Sequence, residues 1–506
     1  MPQANPFLMR DFRQGVYRKS SVNNYLAPLN SVQHSLNINY DTIIGSAVVR
    51  PGVTLLGTQV AANYLPQGLA EFVPKPSVAT TSRLLVAFDG LANGTIYYWN
   101  GTIWAASNIV TLVNGGRVRF AQLGGSSFAV TGNAAMVSSV DGLTWNMGIA
   151  NNCIATDSVL PSLIYRAKGR LLASGDTTVG SGHSKSRVFF SSIIDPNASP
   201  FITWNTNLST GDFIDINPDD GGDVAGFAET SSTILVFKGN GMYRLNTLTK
   251  STDPQNIFNI GAVSQEGIVN CQGLVYFFSG IDIRRTDGSF PEQISRLGVQ
   301  DFVDAIPQAN WSKVAAGTDG LNVYFSIGNV TLNTAKDTQV TYNNVVLKFS
   351  PRDQTWGLHS YGDAYRFFAQ YTTTGGRMMY AACDAGDVQS LNNGVQDRAV
   401  GVARPIYFEL LTQEIDFDNR ANNKVISDKM VVFTQYGLDG RIQIQADDND
   451  PSDIKIDTNQ RVAVAKDLNI QGNFFTIRWF GIRSTNSSPV LEGFLLTSVT
   501  DQGIIR

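Results

Sequence analysis

Histidine and cysteine are scarce in this 506-residue chain, three of each, which limits what either can build. Cys153, Cys271 and Cys383 lie far apart, odd in number and without a C-x-x-C pair, so no disulfide framework or redox motif is expected. They read as buried free thiols. His34, His183 and His359 fall in three different segments with no partner at a ligand spacing, and the reading is three isolated surface or turn residues rather than a zinc site or a Ser-His-Asp triad. Charge is sparse as well, at 16% of residues, with 42 acidic against 38 basic side chains, a net charge of -4 and no Lys/Arg block. That argues against a grip on nucleic acid through phosphate neutralisation. No apolar run reaches the length of a membrane-spanning helix, and "MPQANPFLMRDFRQG" lacks the apolar core of a secretory signal. A soluble protein made in the cytoplasm is expected.

What the chain has in quantity is glycine, 47 residues, together with Val, Ile, Phe and Tyr at its apolar positions. These side chains suit a pleated, half-buried surface, so the expected class is all-β, in two or three domains given the length. One pattern recurs. "MVSSVDGLTWNMG" (136–148) sets a β run before Asp141-Gly142 and Trp145; "TIYYWNGTIWAAS" (95–107) does the same with Asn100-Gly101 and Trp104. "SRVFFSSIIDPNASPFITWNT" leads to Trp204 and "NVVLKFSPRDQTWGLHSY" to Trp356, while "STILVFKGNGMYRLN", "GLVYFFSGIDIRRTDG" and "GRMMYAACDAGDVQSL" keep the hairpin without the tryptophan. Members recur roughly every 35 to 60 residues, which brackets the blade of a β-propeller, about 40 to 50. Within a blade, Asn-Gly or Asp-Gly supplies the positive φ of the hairpin tip and the aromatic that follows packs between blades. A β-sandwich is the competing account, but its turn signals come every 8 to 12 residues or so. Seven hairpins are legible; with some sharing a blade, six blades are expected, in a ring that need not close completely. "SVDGLTW" is one residue short of an Asp-box, and one copy assigns no function. A short helix is expected in "EQISRLGVQDFVDAIP" (292–307), from Ile294, Leu297, Phe302 and Ile306.

Three regions follow: 1–57, an N-terminal arm with platform strands; 58–395, the propeller; and 396–506, whose alternating runs "RIQIQA", "FFTIRWFGIR" and "VLEGFLLTSV" fit a two-layer β-sandwich completed by the N-terminal strands. Chemistry is thin. A sialidase-like site needs converging arginines, and Arg117, Arg166, Arg170 and Arg187 are in the right region, but no motif places them. "NPDDGGDVAG" (Asp219, Asp220, Asp223) and "DDNDPSDIKID" (Asp447, Asp448, Asp450, Asp453, Asp457) lack an EF-hand's spacing and closing Glu and read as solvated turns. "GSGHSKS" carries Lys185-Ser186, yet Ser184 stands where a phosphate loop needs glycine. No catalytic residue, metal or cofactor is assigned, and the chain is not expected to be an enzyme.

The order of segments carries a resemblance. "NINYDTIIGSAVVRPGVTLLG", then "GRLLASGD" with "RVFFSSIIDP", then "ILVFKGNGMYRL", then "NIGAVSQEGIVNCQGLVYFFSGIDIRRTDG" resemble the tail nozzle proteins of short-tailed bacteriophages, also called tail tubular protein B or packaged-DNA stabilisation proteins. The resemblance covers most of the chain and rests on strand patterns and glycines. It implies a virion protein, assembled in the host cytoplasm, that forms the distal hexameric ring of the tail beside an adaptor and tail fibres, with DNA passing through unread by sequence. It also implies that Arg50 and Gly52, in "VVRPG", end the N-terminal strand region and that "VFKGNGMYRL" forms a middle blade. A lumen that must release DNA should be neutral to acidic, and Asp219, Asp220 and Asp223, flanked by glycines, are the carboxylates expected to face it. The alternative is a propeller that binds carbohydrate or another receptor through aromatic side chains on one rim.

Overall fold

The computed structural model describes residues 5–501 except 18–29, 62–63, 79–81, 109–111, 156–158, 179–183, 221, 297, 334–338, 374, 400, 416, 418–422, 436–439, 448, 455–461 and 484–487. Strand follows strand, and seven four-stranded antiparallel sheets occupy the middle of the chain. Their first strands are Pro66–Phe72, Arg119–Leu123, Leu163–Ala167, Val224–Glu229, Ile268–Cys271, Ala315–Thr318 and Tyr365–Thr373. Each of these packs beside the next, and Tyr365–Thr373 packs against Pro66–Phe72, so the ring is closed. The propeller therefore has seven blades where six were expected. Each of the seven hairpins legible in the sequence is a separate blade, because every one is preceded by its own inner strand; letting some share a blade undercounts them. Closure comes from the other end of the chain: Thr54–Leu55 pairs with Val388–Ser390 and supplies the outermost strand of blade 7.

Apolar residues collect at the joints between blades rather than in one central core. The joint of blades 3 and 4 buries Leu172, Phe190, Phe227 and Val236, that of blades 4 and 5 Phe237, Met242 and Phe277, and that of blades 7 and 1 Phe88, Trp99 and Tyr380. Strands such as Ile234–Lys238, buried at every position, read as a continuous apolar run, here Ile234 to Phe237 before the lysine, because both faces are covered by neighbouring blades. The expected helix is present but brief, Gln300–Asp304, between blades 5 and 6; Phe302 and Ile306 are buried, Ile294 is half-buried, and Leu297 lies outside the described residues.

The remaining strands form a two-sheet platform built from both ends of the chain. One sheet runs Ile38–Asn39, Ala47–Val49, Val490–Asp501, Lys424–Gln435, Val462–Gly472, with Asn5–Met9 also on Val490–Asp501. The other runs Val32–Leu36, Ile406–Thr412, Phe475–Arg483, Gly440–Ala446, Ser452–Ile454. Phe12, Ile38, Phe408, Phe475, Trp479 and Phe494 meet between them, so the N-terminal strands complete the sandwich. The region before residue 57 is thus no detachable arm: it holds part of the platform core and closes blade 7.

Propeller and platform meet at Arg50, which is fully buried. Its guanidinium donates to both Asp397 carboxylate oxygens (2.9 and 2.5 Å), to Asn37 Oδ1 (2.7 Å) and to the Ser360 carbonyl (2.7 Å), and lies over the Tyr361 ring at 3.9 Å. Two residues on, a Cβ at Gly52 would come within 2.1 Å of the Gln396 carbonyl oxygen, which is backbone and cannot swing away. Arg50 and Gly52 mark the passage from platform to propeller: the next strand in the chain is Thr54–Leu55.

Candidate functional site

The propeller axis is where side chains from distant blades converge. Gln265–Gly267 is a 3₁₀ turn leading into blade 5, and it aims Glu266 across the ring at Arg117 and Arg119, at the start of blade 2. Arg119 donates to both Glu266 carboxylate oxygens (2.8 and 3.1 Å) and to the Ser162 carbonyl (2.6 Å), while Arg117 bonds Glu266 and the Ser312 carbonyl. Beside this bridge lies a cavity of about 250 Å³ lined by Leu69, Phe120, Tyr165, Ala316, Phe367 and Phe368. Burial alone would push the Glu266 carboxyl up; Arg119 and Arg117 outweigh it and hold it at about 2. At neutral pH this group has no proton to give, and its acceptor positions are filled by guanidinium donors. It acts as a brace across the channel.

That brace sets an acid limit on stability. A carboxyl depressed from 4.5 to about 2 contributes stability in full above its unfolded-state value and loses it as pH falls through the folded one. Between pH 4.5 and 2 the wild-type chain should therefore lose a few kcal/mol that Glu266→Gln never had. Urea midpoints taken across that range check this; parallel curves for the two proteins would remove Glu266 from the acid response.

At the hairpin tips, Asp141 Oδ1 accepts from the Leu143 and Thr144 amides (2.8 and 2.9 Å) and from Ser139 (3.0 Å), and Gly142 has φ 76°. Asn100 Oδ1 does the same for Thr102 and Ile103 (both 2.9 Å), with Gly101 at φ 101°. These turns lead each tryptophan into the joint with the preceding blade: Trp104 against blade 7, Trp145 against blade 1, Trp204 against blade 2, Trp356 against blade 5. Trp145 and Trp356 are buried, Trp104 and Trp204 half-buried. Three indole N–H groups donate to a carbonyl just past the outer strand of that neighbour: Trp104 to Leu56 (2.7 Å), Trp204 to Asn152 (3.0 Å), Trp356 to Ile294 (2.9 Å). The Trp145 N–H is buried with no partner.

Other sequence candidates are dispersed. Arg187 pairs with Asp215 (2.7 Å) and stacks on Phe213, Arg170 donates to the Ser191 carbonyl (3.0 Å), and Arg166 is exposed, so these arginines do not converge with Arg117. Asp219 and Asp223 are exposed, Asp223 lying 3.5 Å from Lys185. Asp220 instead binds the ammonium of Lys238, which is fully buried and also donates to the Ile216 and Asn217 carbonyls (2.9 and 3.0 Å). It serves the joint of blades 3 and 4 rather than an open loop. Ser186 donates to the Gly222 carbonyl (2.9 Å). Asp447 staples a hairpin through the Asn473 and Phe474 amides (2.8 and 3.0 Å), Asp453 accepts from Gln443 (2.7 Å), and Asp450 is exposed; Asp448, Asp457 and His183 lie outside the described residues.

His359 departs from its expected surface position. It is fully buried between propeller and platform, its Nε2 3.1 Å from Asn39 Oδ1, and Lys348 reaches the same oxygen (3.0 Å) and Asp41 (2.7 Å). Burial, with Arg50 and Lys348 close by, pushes its imidazole well below the usual value, so it is neutral. His34 is half-buried, its ring 5.7 Å from that of Tyr342. All three cysteines are buried and free.

No family model matches the chain, and no curated protein does. Similar solved structures include the extracellular domain of a hybrid two-component system from B. thetaiotaomicron, 11% identical at a TM-score of 0.44, covering 94% of this chain and 62% of that one. Another is the extracellular domain of a one-component system from the same organism, 10% identical at 0.39, covering 97% and 65%. A third is the N-terminal domain of Nup159, 11% identical at 0.38, covering 70% and 97%. The chain thus spans just under two thirds of the length of the first two. None of the three is a phage tail protein. The chain is an all-β propeller protein. Its blades and its ring closure establish that, and no helix among the described residues is long and apolar enough to cross a membrane.

Proposed function

We propose that the chain is a structural virion protein of the tail-nozzle kind, one copy of a six-membered ring through which DNA leaves the particle. The order of its sequence segments supports this reading, and one observation carries it: the platform ends in a long open strand edge. Val462–Gly472, eleven residues, pairs on one side with Lys424–Gln435, and no described strand covers its other side. Val462 and Val464 each stand 42% exposed along it. Such an edge is a template for pairing with another copy, and a head-to-tail contact repeated by rotation closes into a ring. Because Glu266 and its arginines brace the propeller axis, the DNA path runs between copies and not through the blades. A net charge of -4 without a basic run favours passage over retention. Asp219 and Asp223 are the carboxylates left to face DNA, and the adaptor and fibre proteins would meet surfaces away from that edge.

Electron microscopy of the purified chain, alone and added to nozzle-deficient tails, tests this. Sixfold rings are expected for the wild type. Val464→Lys should abolish them at an unchanged melting temperature, since it charges the edge without touching a core. Rings that survive the lysine, or a wild type that stays monomeric and never joins tails, would sink the proposal. A second reading, a monomeric propeller that binds carbohydrate or another receptor, is favoured by the aromatic wall of the axial cavity, Phe120, Tyr165, Phe367 and Phe368. Glycan binding by the monomer that Phe120→Ala removes would select it.

A further inference from the structure

The closing blade holds a group of ligands that neither function uses. Among the described residues, one set of three His, Cys, Asp or Glu side chains brings its ligand atoms together: Asp363, Cys383 and Asp387, all within 4.8 Å of one another. All three are buried, Cys383 and Asp387 completely. Asp363 lies just before the inner strand of blade 7, Cys383 ends its second strand, and Asp387 closes the tight Asp384-Ala385-Gly386-Asp387 turn into the third. Gln389, on that third strand, donates to Asp363 Oδ2 (3.0 Å) and accepts from the Tyr365 hydroxyl (2.9 Å), fixing one side of the group. Asp387 is the anomaly. Both of its carboxylate oxygens are buried with no hydrogen-bond partner. A carboxylate sealed from water without donors is costly, and the usual remedies are a proton or a cation.

We infer that Asp363, Cys383 and Asp387 form a buried structural site for a zinc-class divalent cation that locks blade 7. The donor set decides the class. A thiolate with two carboxylates suits a borderline ion, whereas calcium and magnesium take oxygen alone. Cys383 Sγ lies 4.0 Å from Asp363 Oδ2. Bonds of about 2.3 Å to sulfur and about 2.0–2.2 Å to oxygen would draw those two atoms in by roughly half an ångström, within the reach of a rotamer adjustment. Burial, with Asp363 and Asp387 beside it, pushes the Cys383 thiol up, and burial together with Asp363 pushes the Asp387 carboxyl up to about 6, although Arg398 draws it down. A divalent ion in their midst reverses both by replacing the protons, so binding would release protons and couple to folding. Its position would tie down the seam of the ring, because Gln389 and Ser390 are the residues on which the closing strand Thr54–Leu55 pairs. With its ligands buried, the ion enters as the blade closes.

The test uses the full chain expressed with zinc supplied, its metal content measured after gel filtration, and its unfolding followed with zinc or with a chelator present. The expected result is close to one zinc per chain in the wild type and almost none in Asp387→Asn, with a melting temperature several degrees lower in chelator for the wild type alone. Cobalt in place of zinc should give a near-ultraviolet sulfur-to-metal band that Cys383→Ser lacks. If Cys383→Ser does not fold, the wild-type band decides. A wild type that carries no zinc and melts identically with zinc and chelator overturns the site. So does a metal-independent gain in stability from Asp387→Asn, which is what a buried protonated acid pair would give.

Discussion

Arg50→Ala should destabilise the chain by about 3–5 kcal/mol, the usual cost of removing one partner from a buried ion pair. The loss falls less on the attraction than on what is left behind. Asp397 is 5% exposed and would lose both guanidinium bonds; Asn37 Oδ1 and the Ser360 carbonyl would each lose a donor. Burial works against the charge on Arg50, and Asp397 outweighs it, so the guanidinium stays charged. Arg50→Lys should recover little, since an ammonium cannot replace a fork that spans Asp397, Asn37 and Ser360 while its carbon sits 3.9 Å from the Tyr361 ring centre. Paired replacement, Arg50→Met with Asp397→Leu, should recover most of the loss. Urea unfolding of the three variants checks the order. Arg50→Ala within error of wild type would mean that the platform is held to the propeller elsewhere.

Much of the fold is legible because it rests on short-range signals. Asn100-Gly101 and Asp141-Gly142 announce their turns through residues that tolerate positive φ, and the aromatic three residues on announces a joint. Blade number is lost at the inner strands. Arg119–Leu123 and Ala315–Thr318 carry few large apolar residues, because one face looks into a narrow channel, so nothing in their composition separates them from connecting loops. Closure by Thr54–Leu55 is invisible for another reason: a two-residue strand has no periodicity.

The charged residues are harder still. Arg50, Lys238, Glu266 and Asp282 all sit inside the segments that carry the nozzle resemblance, where only strands and glycines stand out. In the structure each is a buried charge with an opposite partner: Asp397, Asp220, Arg119 and Arg284. Three of those partners lie outside the same hairpin, Asp397 on another strand more than three hundred positions away, so no local spacing could pair them. A lone charge in an apolar run, as Lys238 in "ILVFK", is the available signal, since such a residue is rarely buried without a counter-charge, whereas Glu266 in the polar "VSQEG" gives none.

Trp356→Ala should cost about 3–5 kcal/mol and Trp145→Ala a similar amount, both indoles being 3% exposed, but the two sites should part company when phenylalanine replaces tryptophan. Trp356 fills the joint of blades 5 and 6 against Phe349, with ring centroids 4.9 Å apart, and Gly298 leaves room for its ring where a Cβ would come within 2.4 Å. Its N–H also holds the Ile294 carbonyl at 2.9 Å. Trp356→Phe therefore loses part of the packing and also strands a carbonyl, a further cost of about 1–3 kcal/mol if no water reaches it. Trp145 packs beside Phe120 at 6.1 Å and is buried with its N–H unpaired, so Trp145→Phe removes a polar group that had no partner. The lost ring volume is then offset by relief of that unpaired donor, and the change should be about 1 kcal/mol or less. Calorimetry on the four single variants makes the comparison. Equal losses for the two phenylalanine variants would show that the carbonyl contact adds nothing, and that the recurring tryptophans act by volume alone.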